Sequence, residues 1–133
     1  MTTPYEVKVR RICEEPLKTD GMRILVDRLW PRGLSKEKAH IDEWCKTVAP
    51  SPELRKWYGH DPDLFEDFSR RYRKELQEPE PAAALDRLGD LARQCPLTLL
   101  TATREPGISE AAVLSKLIQE SLRRPGSRPE ASR

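Results

Sequence analysis

Two short stretches of this 133-residue chain carry side chains suited to holding a charged ligand. The first is Asp27-Arg28-Leu29-Trp30-Pro31-Arg32-Gly33. The second is Thr101-Ala102-Thr103-Arg104-Glu105. Arg28, Arg32 and Arg104 present planar guanidinium forks that match carboxylate or phosphate oxygens at two points. Each stretch follows an apolar run and leads to a helix start, near Ser35 and near Ser109. Helix N-termini attract anions through their free N–H groups and the macrodipole. If the two apolar runs are parallel strands, both stretches lie beyond carboxyl ends, where open parallel sheets bind ligands. The expectation is an Arg-rich rim that takes a phosphate- or carboxylate-bearing ligand. The competing reading is that Arg28 pairs with Asp27 or another carboxylate and only fastens its turn.

Asp27 and His60 are the candidates for acid–base work. Asp27 stands at the edge of an apolar run, where burial and Arg neighbours would set its pKa. Its bland role is to anchor the turn. His60 lies between two helices and needs a partner within hydrogen-bond reach to move a proton. Its bland role is packing beside the cap at Asp61. Trp30 and Trp57 adjoin Arg28, Arg32 and Arg55, which suits either a wall for a planar ligand or ordinary packing. His40 reads as solvent-facing.

Other chemistries find no support. Asp61, Asp63 and Asp67 lack the glycine of a calcium loop, and Pro62 intrudes. No phosphate-binding glycine loop or dinucleotide fingerprint occurs, so no cofactor is expected. Two His and three scattered Cys give no metal spacing. Cys45 falls on an apolar stripe, which argues against a nucleophilic thiol. The run Arg70-Arg71-Tyr72-Arg73-Lys74 reads as a solvated helix face, with Glu66, Asp67 and Glu75 as partners. Its alternative is contact with a nucleic-acid backbone.

These residues need elements to position them. Tyr5 to Ile12 alternates like a half-exposed strand. Glu14 to Gly21 is a loop, and Arg23 to Leu29 is a second strand. After Ser35, the spacing of Ile41, Trp44, Cys45 and Val48 predicts a helix. Ser51-Pro52-Glu53 caps a short helix that stops at Gly59, and Asp61-Pro62 opens a longer one bearing Phe65, Phe68, Tyr72 and Leu76. Leu85, Leu88, Leu91, Ala92 and Cys95 form another apolar stripe. Leu97 to Thr101 is a buried strand, Thr103 to Gly107 a turn, and a last helix runs from Ser109 to Leu122. The pattern predicts a small three-layer α/β domain over residues 1–122, with about three mostly parallel strands and four to five helices. The first two strands either form a hairpin or lie parallel with the Leu97 strand between them. Residues 123–133 read as a basic, frayed tail.

Composition narrows the partners. Twelve prolines are more than the usual level of roughly 5%, yet Pro52, Pro62 and Pro81 sit at helix starts and Pro50, Pro79 and Pro96 at breaks, so they punctuate a fold. A net charge of +2, from 24 basic and 22 acidic residues, lacks the strong basic excess of a dedicated nucleic-acid binder. No stretch approaches the roughly 20 apolar residues of a membrane span. The start of the chain has no apolar core of a signal peptide. Three dispersed thiols without C-x-x-C suit a reducing cytoplasm.

Several stretches together carry a family likeness. They are Arg23-Ile24-Leu25-Val26-Asp27-Arg28-Leu29-Trp30-Pro31-Arg32-Gly33-Leu34-Ser35-Lys36, Ala49-Pro50-Ser51 with Glu53-Leu54-Arg55-Lys56-Trp57, His60-Asp61-Pro62, and Phe68 with Arg71-Tyr72. From roughly Val7 to Leu117 the chain resembles the YeaO-like branch of domain-of-unknown-function family number 488. The resemblance implies a compact α/β domain and no established activity. Members usually carry His-Asn after the last strand, where this chain has Ile108 and Ser109, and a Tyr where it has Thr101. The Arg28, Arg32 and Arg55 positions match. The resemblance therefore implies binding more safely than catalysis.

Overall fold

The computed structural model describes residues 7–122. The expected tail at residues 123–133 and the first residues of the expected first strand lie outside that range. Four strands form one sheet in the order β1-β4-β2-β3, with β1 Val7–Arg11, β2 Met22–Leu25, β3 Glu43–Trp44 and β4 Leu97–Thr101. Every pairing is parallel. β4 therefore lies between β1 and β2, which settles the choice between hairpin and parallel in favour of parallel. Its five residues are all buried, as a strand covered on both faces requires.

Five α-helices accompany the sheet among the described residues: α1 Lys36–Ala39, α2 Pro52–Tyr58, α3 Phe65–Glu75, α4 Pro79–Gln94 and α5 Glu110–Leu122. The result is a roughly three-layer α/β fold with one strand more than expected. On one face, Ile24, Val26, Leu97 and Leu99 meet Leu54, Phe68, Tyr72, Leu88 and Leu114 from α2, α3, α4 and α5. On the other, Ile12, Leu25 and Leu100 are covered by Ala39 and by Trp30, Leu34, Ile41 and Trp44.

The helix expected to run through Val48 does not form beyond Ala39. Ser35 caps it as expected, its hydroxyl accepting from Lys38 N at 3.1 Å, but His40 turns left-handed at φ 51° and ends it. The chain then enters β3, with Asp42 N donating to Arg23 O at 2.7 Å and Cys45 N to Leu25 O at 2.8 Å. The apolar spacing has a different cause from the one it suggests. Ile41 and Trp44 serve one face of the sheet, whereas Cys45 and Val48 serve the other.

The caps of α2 follow expectation. Ser51 Oγ accepts from Leu54 N at 3.2 Å, Pro52 fills the first turn, and Gly59 closes the helix at φ 55°. Glycine also serves a close approach at Gly21, where a Cβ would stand 2.1 Å from Pro96 O. That contact lets Met22 N reach Pro96 O at 2.9 Å and start the β2–β4 ladder.

Candidate functional site

Pairing of Leu25 with Leu100 puts the residues after β2 beside the end of β4. Asp27 accepts there from Thr101 Oγ1 and from Ala102 N, both at 2.8 Å. Its own backbone oxygen takes the Trp44 indole N–H at 2.7 Å. The strand-end loop is thus tied to both neighbours of β2.

Asp27, Arg28, Trp30, Arg55 and His60 all line one cavity of about 280 Å³ at these strand ends, with Thr101, Thr103 and Glu110. Five of the residues singled out in the sequence are therefore brought together. Arg32 and Arg104 are exposed and do not line it. The expected contribution of the Ser35 helix also falls away, because α1 is a single turn of four residues.

Arg28 fastens its turn, but through carbonyls and not through Asp27. Its guanidinium donates to Pro50 O at 3.3 and 3.1 Å and to Ala49 O at 3.4 Å. This links the β2 end to the loop that starts α2, and it still leaves Arg28 on the cavity wall. Trp30 packs as expected and also lies on the cavity wall. Its N–H reaches Leu34 O at 2.6 Å and its ring meets Trp44 edge-on at 5.3 Å. Trp57 instead lies under Arg71, 4.1 Å from the ring centroid.

His60 follows Gly59 and is itself left-handed at φ 58°. Such a backbone is costly for a non-glycine residue. It brings Nδ1 to 3.4 Å from Thr103 Oγ1 at the cavity edge.

Glu110, at the start of α5, is the site residue that sequence reasoning passes over. An acid in a first helical turn is amply explained by the macrodipole. Here its carboxyl approaches Thr101 Oγ1 at 3.4 Å and hydrogen-bonds Asp27. Burial, then the hydrogen bond and the charge of Asp27, push Glu110 well above the usual carboxylate range, against the opposing pull of Arg55. That shift favours the protonated form of Glu110, which can donate to Asp27. Arg28 and Arg55 line the same cavity as the two carboxyls. The clue in the sequence is position alone: Glu110 follows the strand-end stretch and turn directly.

The basic run of α3 is largely engaged within the protein. Arg70 pairs with Asp67, Arg73 approaches Glu120 at 3.8 Å, and Arg71 covers Trp57. Burial, then the charge of Glu43, raises the Cys45 thiol, which disfavours a thiolate there. Among the described residues no group of three metal-ligating side chains is placed to hold an ion. No helix among them is long and apolar enough to cross a membrane.

Comparison with known proteins agrees with the likeness in the sequence. A family model described as the inactive DUF488-N3 subclade matches residues 6–133. Uncharacterized protein Rv3073c of Mycobacterium tuberculosis is 44% identical over 118 residues, covering 89% of this chain and 98% of the relative. Uncharacterized protein YeaO of Escherichia coli is 38% identical over 109 residues, covering 82% and 93%. No solved structure matches.

Proposed function

The chain belongs to the inactive DUF488-N3 subclade, and from that premise we propose that it is a binding module, holding a small oxyanion-bearing ligand at the strand ends without transforming it. The observation that carries this reading is the meeting of two guanidinium-bearing residues, Arg28 and Arg55, on the wall of one strand-end cavity. Arg55 is the exposed cation on its wall, whereas Arg28 is partly committed to Pro50 and Ala49. Arg55 is thus the group left to meet a ligand's oxygens. The His60 ring, the Thr103 hydroxyl and the carboxyl pair supply further hydrogen-bond partners around it.

The non-catalytic part of the proposal is supported by the positions where the wider family usually has His-Asn. Ile108 gives its carbonyl to the Tyr58 hydroxyl at 2.6 Å, and Ser109 Oγ donates to Pro106 O at 2.7 Å. Both residues fasten the turn before α5 and add no titratable side chain to the cavity. The dispersed thiols of Cys13, Cys45 and Cys95, all unpaired, favour a reducing cytoplasm as the setting.

Calorimetric titration with inorganic phosphate and with acetate tests the binding reading. We expect binding at millimolar concentration or below, weakened about tenfold or more by Arg55→Met, since a charge-assisted hydrogen bond contributes about 1.5–3 kcal/mol. An affinity that Arg55→Met leaves unchanged would contradict it. Tight, steeply salt-dependent binding of DNA or RNA would favour a nucleic-acid module instead.

A further inference from the structure

The cavity at the strand ends has a neighbour of different character. A second cavity, of about 480 Å³, is lined by Pro50, Pro52, Tyr58 and Phe68, with the charged Glu53 and Lys56 beside them. Arg55, His60, Pro50 and Glu110 line both. The two are lobes of one cleft, with the Arg55 guanidinium where they meet. One lobe offers the carboxyl pair and the Thr101 and Thr103 hydroxyls, and the other offers the Pro50 and Pro52 faces over the nearly buried Tyr58 and Phe68 rings, with Glu53 and Lys56 beside them.

The apolar lobe is held rigidly. Tyr58 and Phe68 stack with centroids 4.2 Å apart and planes 13° from parallel. The Tyr58 hydroxyl is anchored on Ile108 O. Burial, followed by the charges of Glu105, Asp61 and Glu110, raises that phenol to about 12, so it stays a donor. Pro50 and Pro52 flank Ser51, which is clamped by Glu75 through Ser51 N at 2.9 Å and Ser51 Oγ at 2.5 Å. A free phosphate or acetate ion needs no such wall and would leave the lobe to water. A preformed apolar surface beside a cation suits a ligand with an apolar, flat part next to its charge.

We propose that the ligand is a ring-bearing oxyanion, an aryl phosphate or an aromatic carboxylate, with its anionic group on Arg55 and its ring in the lobe lined by Pro50, Pro52, Tyr58 and Phe68. The proposal rests on the anion-binding reading above and specifies its ligand class. Binding of phenyl phosphate, benzoate, inorganic phosphate, acetate and benzyl alcohol to the full chain tests it. Phenyl phosphate is expected to bind at least about tenfold more tightly than inorganic phosphate, or benzoate than acetate, from burial of the ring. The arm with the greater gain identifies the oxyanion. Nuclear Overhauser contacts from the ring protons are expected at Tyr58 and Pro52, and Arg55→Met removes the preference for the charged compounds over benzyl alcohol. If the bare ions bind and the ring adds nothing, the ring lobe is refuted while anion binding stands. Ring contacts confined to Trp30 would likewise overturn the placement. If benzyl alcohol binds as tightly as benzoate and phenyl phosphate, or if nothing binds, both readings fall.

Discussion

Replacing Asp20 by Ala is expected to lower stability at neutral pH by about 3–5 kcal/mol, the usual cost of breaking a buried ion pair by removing one partner. Asp20 is fully buried beside the amino ends of β2 and β4. Its carboxylate takes Arg23 Nη1 at 2.6 Å, Arg10 Nη1 at 2.8 Å, Leu17 N at 3.0 Å and Lys8 Nζ at 3.3 Å. Its backbone oxygen takes Thr98 Oγ1 at 2.7 Å. Arg23 is only 4% exposed and continues the network to Ala39 O and His40 O. Removing the carboxylate strands that buried cation.

Burial alone would raise Asp20, but Leu17 N–H, Arg23, Lys8 and Arg10 outweigh it and bring it to about 2. A folded-state value below the unfolded one contributes stability above roughly pH 4, lost as pH falls toward 2. That contribution is roughly 2–3 kcal/mol, because each pH unit separating the folded and unfolded values is worth about 1.4 kcal/mol. Urea denaturation of the wild type and Asp20→Ala at neutral pH and near pH 2 checks both points. The gap between them narrows in acid. A loss under about 1 kcal/mol at neutral pH would contradict this account of the network.

Glu110→Gln is expected to act in the opposite sense and to stabilise the protein at neutral and alkaline pH. Glu110 is held well above its ordinary range by burial and by Asp27. The folded state therefore keeps a proton that the unfolded chain releases above roughly pH 4.3. Stability falls as pH rises through that window, with a slope of up to about 1.4 kcal/mol per pH unit. Glutamine retains an N–H donor toward Asp27 and has no proton to lose, so the slope flattens. Denaturation midpoints from pH 5 to 8 measure this, and parallel curves for the two proteins would refute it. A cost so easily removed, placed in a cleft, is characteristic of a functional position.

The contrast between these two acids shows what is legible in the sequence. The β2 and β4 strands, the caps at Ser35, Ser51 and Asp61, and the stops at Gly59 and Pro96 follow from local rules of periodicity and backbone geometry. Of Arg28, Arg32 and Arg104, which parallel strand ends are expected to bring to one rim, only Arg28 lines the cavity, whereas Arg55 and His60 reach it from α2 and the loop after it. What escapes depends on distant partners. Asp20 looks like a loop residue until Arg23, Arg10 and Lys8 close on it. Glu110 looks like an ordinary first-turn acid until Asp27 meets it across the sheet end. Arg28 is expected to seek a carboxylate, yet its acceptors are the Ala49 and Pro50 carbonyls. The β3 segment has helical spacing because its apolar residues divide between two faces of a sheet, which no single-helix pattern can reveal.

The family likeness and the geometry meet at one place. Ile108 and Ser109 have become fastenings for a turn, while Arg55 still faces the cleft. Amide chemical-shift mapping of the 15N-labelled chain during titration with inorganic phosphate tests the central claim most directly. The account predicts shifts that concentrate at Arg28, Arg55, His60 and the Thr101–Thr103 segment and that largely disappear in Arg55→Met. Shifts centred instead on Arg32 and Arg104, or on the Arg70–Lys74 run, would contradict it.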